Sequence, residues 1–135
     1  MCRGWLADGK RAEIVMDVET AEVRWTLPET LQQLAVCGER EIVTEVLTLF
    51  QSDTESRLRE LRSALESGDR KKARLQAHSV KGSAVQVGAT FLAEACREME
   101  MTAETPVELR PLLEEIEARF VAVSKAMSLE YGNIQ

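Results

Sequence analysis

Histidine occurs once in these 135 residues, as His78, and aromatic residues supply only 4% of the chain. The three cysteines, Cys2, Cys37 and Cys96, are dispersed and form no CxxC pair. One histidine and scattered thiols leave too few soft ligands for a zinc-type site, and no metal ligands are assigned. The same odd, spread set argues against a disulfide framework and suits reduced thiols in the cytoplasm. No apolar run approaches the ~20 residues that a membrane span needs, and "MCRGWLADGKR" lacks the apolar stretch of a secretion signal. A cytoplasmic protein is therefore expected. Basic residues are in the minority, 17 against 23 acidic, and the net charge of −6 opposes phosphate-backbone binding. Nucleic acid is accordingly excluded as a partner.

Proline (three) and glycine (seven) are also few, while 44% of residues are hydrophobic and mostly aliphatic. That combination suits long helices better than short strands and turns. The length fits one domain able to bury a core without staples. Residues 1–24 are set apart as an N-terminal extension in which Ile14, Met16 and Val18 alternate weakly and no chemistry is assigned. Residues 25–130 are expected to form a helical domain. Thr26 and Glu29 have capping-box spacing ahead of a short helix that Gly38 would stop. Residues 39–66 carry Val43, Leu47, Phe50, Leu58, Leu61 and Leu65 at helical steps, with a weak point at "QSDTES" where a break near Ser52 is allowed. "SGD" at 67–69 would end that helix and cap the next, which runs from about Asp69 to Val87 with Gly88 as its stop. "ATFLAEACREMEMTA" makes a further helix. Thr105 and Glu108 offer a second capping box before a last helix carrying Leu112, Leu113, Ile116, Phe120, Val123 and Met127, whose start Pro111 delays or kinks. The expected fold is all-α: an antiparallel four-helix bundle with a short additional N-terminal helix.

At ~100° per residue, Ala73, Ala77, Val80, Ala84 and Val87 fall on one stripe of the third helix, about 100° to 180° from His78. The imidazole therefore faces solvent. Arg74, Lys81 and Val85 lie within about 60° of it on one side, and Lys71 and Gly82 within about 40° on the other. A lone histidine is usually an ordinary core or surface residue, yet the stripe excludes the core, and a tolerated surface residue would not require Gly82 nearby. Glycine there costs roughly 1 kcal/mol relative to alanine, so clearance for an approaching group is the better reading. Between Asp69 and Glu94 there is no acidic residue, while Arg70, Lys71, Lys72, Arg74 and Lys81 are basic. Arg70, Lys71 and Lys72 read as a solvated face. Arg74 and Lys81, near one turn from His78, are candidates to hold phosphate oxygens or an acidic partner surface.

Imidazole with an ordinary pKa near 6.5 is substantially neutral and nucleophilic at cellular pH. It can accept a phosphoryl group. No GxxxxGK[ST], kinase-type glycine loop or metal-binding carboxylate set is present to make that group from ATP, so the phosphate must come from a partner. Two other readings stay open on the residues alone. One is a non-phosphorylated helical interaction module that binds an acidic partner surface through the basic face. The other is a small enzyme using His78 as general base, which needs an orienting carboxylate that the histidine's own helix does not provide within a turn.

"AHSVKGSAVQVGATFLAEACREME" resembles the signature of histidine-containing phosphotransfer (HPt) domains, A-H-x-x-K-G-x-x-x-x-x-G-A followed by small and acidic residues. "LTLFQSDTESRLRELRSALESGD" is similar to the family's preceding long helix, so the likeness spans about residues 25–127, with Met99 in place of a more usual leucine. The resemblance implies His78 as phosphoacceptor, Lys81 as the neighbouring positive charge and Gly82 as clearance, with Ser83 and Gln86 among residues near the ring. It also implies a phosphorelay role in two-component signal transduction without independent kinase activity. The implied partners are response-regulator receiver domains and a hybrid histidine kinase. This chain would bind no cofactor, and Mg²⁺ would belong to the receiver.

Overall fold

The computed structural model describes residues 25–131, in which every regular element is a helix. The extension at residues 1–24, with its Ile14, Met16 and Val18 alternation, lies outside the described residues. The helices are α1 (Glu29–Val36), α2 (Arg40–Glu66), α3 (Arg70–Gln86), α4 (Thr90–Thr102) and α5 (Arg110–Tyr131). Connections of three residues after α2 and after α3 force antiparallel neighbours. Helix α2 packs on α3, α3 on α4, α4 on α5 and α5 back on α2, which closes a four-helix ring, while α1 packs on α2.

The apolar stripes read from the sequence meet inside that ring. Leu47, Leu61, Leu92, Met99, Leu113, Ile116 and Met127 are fully buried, and Phe50 meets Phe120 edge-on at 6.3 Å. Each such aliphatic side chain contributes about 1.5–3 kcal/mol of transfer free energy. Helix α2 continues through "QSDTES" without the break allowed near Ser52. Thr54 takes the core position one turn from Phe50 and one from Leu58, and is fully buried with no hydrogen-bond partner for its hydroxyl among the described residues.

Helix ends position α3. After α2, the Asp69 amide donates to Ala64 O (2.8 Å) and the Gly68 amide to Leu65 O (3.2 Å), and after α3 the Ala89 amide donates to Ala84 O (2.8 Å) and the Gly88 amide to Val85 O (3.1 Å). Both are Schellman turns, with Gly68 at φ 79° and Gly88 at φ 80° supplying the left-handed residue. Asp69 then caps α3, its Oδ1 accepting from the Lys72 amide at 3.0 Å. Gly88 has a second reason to lack a side chain: a Cβ there would collide with the Thr26 carbonyl and press on Pro28.

That close approach exists because Trp25 Nε1 donates to Val87 O at 2.9 Å and lays residues 25–28 across the end of α3. The two expected capping boxes do not form. Pro28 precedes α1 with no side-chain cap, so Thr26 is not used as one. Thr105 Oγ1 donates to Thr102 O (2.7 Å) and accepts from the Val107 amide (3.3 Å), closing the turn after α4, and α5 begins only at Arg110 with Pro111 in its first turn. Arg70 is not part of a solvated run either. Its guanidinium donates to the carbonyls of Ala103 (3.2 Å), Thr102 (3.3 Å), Val107 (2.9 Å) and Thr105, tying the start of α3 to the α4–α5 loop.

Candidate functional site

Helix α3 has the two faces its periodicity predicts. Ala73, Ala77, Val80 and Ala84 are completely buried, while the His78 side chain is 65% exposed. Small residues on the buried stripe let α3 approach α4 closely, and that seam carries the most extensive helix–helix contact in the bundle. Across it, 22 residues away in sequence, Glu100 Oε1 lies 3.2 Å from His78 Nδ1. The other carboxylate oxygen, Oε2, lies 2.8 Å from Lys81 Nζ. This second contact is close but off the line of a regular hydrogen bond, so Oε2 is satisfied by charge more than by an aligned N–H.

The Glu100 side chain is only 15% exposed. Burial alone would push its carboxyl up, but the Lys81 ammonium and the His78 ring outweigh that penalty and hold it below the usual carboxylate range. An ionised carboxylate has acceptors and no donor. His78 Nδ1 must therefore carry the proton in this contact, which leaves the lone pair of the neutral ring on Nε2. The arrangement is a solvent-facing imidazole with a carboxylate behind it.

The remaining expected site residues are placed differently. Gly82 is exposed on the His78 face, and a Cβ built on it would meet nothing within 4 Å among the described residues, so it opens toward solvent and not toward any of them. Arg74 Nε lies 3.6 Å from Glu104 Oε2, in the turn that follows α4. Both cations expected to hold phosphate are thus paired to carboxylates, Lys81 to Glu100 of α4 and Arg74 to Glu104 just beyond it. Ser83 is half-buried and Gln86 exposed, and neither side chain hydrogen-bonds within the described residues, so nothing joins them to the ring. Lys72 pairs with Glu60 at 3.1 Å on the α2 side.

Glu100 is the site residue that the sequence reading missed. One signal for it was present: it stands four residues after the buried Cys96 and one after the buried Met99, an acid at the edge of an apolar stripe. Cys96 is a buried free thiol, and burial first and then the nearby Glu100 push it up to about 12. Among the described residues no group of three His, Cys, Asp or Glu side chains could hold a metal ion, and no helix is long and apolar enough to cross a membrane. A groove of about 240 Å³ lined by Leu58, Arg62, Glu117 and Phe120 runs between α2 and α5, the seam opposite His78.

Comparison with known proteins bears on this geometry. A search of curated proteins found no match. Among solved structures, histidine-containing phosphotransfer protein B (HptB) from Pseudomonas aeruginosa PAO1 is similar with a TM-score of 0.66 and 32% sequence identity, over 78% of this chain and 93% of that one. The family model of the Hpt domain matches residues 45–126, a span that contains His78, Lys81, Gly82 and Glu100. A helical bundle with this match over more than half its length, and an exposed histidine on its third helix, belongs to the Hpt domain family, whose members act in histidine phosphotransfer.

Proposed function

We propose that this chain is a phosphorelay intermediate in which His78 Nε2 accepts a phosphoryl group from a receiver-domain aspartate, or from a kinase, and passes it to another receiver. The observation that carries this reading is the pairing of an exposed imidazole with a buried carboxylate at its other nitrogen. Transfer is in-line between aspartate and histidine. The receiver supplies Mg²⁺ and most of the charge stabilisation, and this bundle supplies a positioned nucleophile and no cofactor of its own. Lys81 is the neighbouring positive charge, Gly82 leaves room for the donor, and Arg74 adds to the basic face that an acidic receiver pocket fits. The relay sits in the cytoplasm with its receiver and hybrid-kinase partners, and has no independent kinase activity.

Glu100 is also the orienting carboxylate that a general-base enzyme would need. A ring that is 65% exposed has no walls to exclude water or hold a small substrate, which favours transfer between proteins over hydrolysis. The deciding experiment offers the protein a set of phosphorylated receiver domains with Mg²⁺, comparing wild type with His78→Gln. Acid-labile, base-stable label on wild type alone is the expected result. Absence of label from every receiver, with binding that survives His78→Gln, would replace this reading with the non-phosphorylated interaction module.

A further inference from the structure

The cation assigned to the phosphoryl group is occupied before any phosphate arrives. Lys81 Nζ sits 2.8 Å from Glu100 Oε2, and the same carboxylate holds His78 Nδ1 at 3.2 Å through Oε1. One largely buried carboxylate therefore faces one ammonium and one imidazole. The charged groups that bear on the carboxylate from the packed helices are His78 and Lys81 of α3, with the neutral thiol of Cys96 on its own helix.

Resting on the phosphotransfer reading, we infer that Glu100 is the positioning residue of the site and that it exchanges partners during the reaction. It gives up Lys81 to the phosphoryl oxygens as the His78 ring becomes its counter-charge. The charge balance of the step favours such an exchange. The Nε2 lone pair forms the N–P bond while the P–O bond to the receiver aspartate breaks, and that aspartate leaves as a carboxylate with the electron pair. Nδ1 keeps its proton throughout, so the ring takes up one positive charge, 3.2 Å from Glu100 Oε1. The carboxylate is then neutralised without Lys81.

The ammonium, at the end of a flexible stem and 29% exposed, is free to turn toward new negative charge on the outer side of the ring. Glu100, at 15% exposure in the seam, cannot follow it outward. The exchange keeps every buried charge paired in both states. An ammonium held only by phosphate would leave Glu100 uncompensated in the unmodified protein, and one held only by Glu100 would leave the phosphoryl group without a cation from this chain.

The test follows the ring and Lys81 Nζ nitrogens by ¹⁵N NMR in wild type, Glu100→Gln and Glu100→Asp. Spectra are taken before and after loading with phosphoryl groups from phosphoramidate and, separately, from a phosphorylated receiver. Before loading, wild type is expected to show the Nδ1–H tautomer. Glu100→Gln should lose that preference, shift the Lys81 resonance and slow acceptance at least about tenfold, as a ring in the wrong tautomer would. Glu100→Asp, which keeps the charge with a shorter reach, should recover part of the rate.

After loading, the Lys81 resonances of wild type and Glu100→Gln should coincide, because Lys81 has left residue 100. A Lys81 difference that persists after loading would overturn the exchange while leaving phosphotransfer intact. An unchanged tautomer in Glu100→Gln would overturn the positioning role. Failure of both donors to load His78 would remove the phosphotransfer reading itself.

Discussion

Glu100 stands between His78 and Lys81, 3.2 Å from one and 2.8 Å from the other, so the imidazole and the ammonium share a single, largely buried carboxylate. That carboxylate gives the bundle an acid-sensitive point. Its folded-state pKa is depressed, so its contribution to stability is complete above the unfolded value of about 4.3 and is lost as pH falls through the folded one. Chemical denaturation at pH 6 and at successive steps below pH 4.3 should show wild type losing stability faster than Glu100→Gln. Parallel curves would mean that the carboxylate is not held ionised by its neighbours.

His78 makes no core contact, and its exposure separates chemistry from folding. His78→Gln should keep the unfolding free energy within about 0.5 kcal/mol of wild type while removing all acid-labile label. Denaturant melts and a labelling assay on the same preparation check both halves.

Gly82 gives a variant with opposite effects on stability and transfer. Nothing among the described residues lies within 4 Å of an added Cβ, so Gly82→Ala should stabilise the isolated protein by about 0.5–1 kcal/mol through helix propensity alone. If the open space serves an incoming receiver, the same variant should accept phosphate more slowly from a receiver than from a small donor such as phosphoramidate. Equal slowing with both donors would assign Gly82 to the ring and not to the partner.

Arg70 and Lys71 are adjacent in sequence but differ in consequence. Arg70→Ala leaves the carbonyls of Thr102, Ala103, Thr105 and Val107 without their shared donor and should cost about 1–3 kcal/mol, whereas Lys71→Ala should be near neutral. Hydrogen exchange should localise the Arg70 effect to residues 102–109.

Gly88→Ala combines a left-handed backbone at φ 80° with a collision at the Thr26 carbonyl. Its loss should exceed the ~1–2 kcal/mol of the backbone term alone and be accompanied by a change in Trp25 fluorescence, since Trp25 is hydrogen-bonded one residue away.

The α3 stripe, the helix count and the glycine stops were legible because each is local: apolar spacing and a turn residue within a few positions. His78 could be placed on the solvent face from the same periodicity. What escaped depends on partners far along the chain. Glu100 reaches the ring across 22 residues, and Arg70 reads as surface charge until the α4–α5 loop is seen to fold over it. Thr26 and Thr105 have the right spacing for caps, but the Trp25 anchor and the turn at Thr102 fix their backbones elsewhere. Thr54 keeps α2 continuous because Phe50 and Leu58 are buried on either side, a tertiary constraint that a polar stretch conceals.

Helix α3 carries five cations and no acid on a chain of net charge −6, and although Lys72, Arg74 and Lys81 are paired with Glu60, Glu104 and Glu100, the charge is unevenly spread over the molecule. Such a body has a permanent dipole moment, and an acidic pocket exerts a torque on it before the surfaces touch. Rotation that brings α3 to the front shortens the orientational search, which is the slow part of docking two specific patches. The torque extends about one Debye length, roughly 8 Å at physiological ionic strength, so salt should slow encounter with a receiver far more than it slows a bound pair already in register.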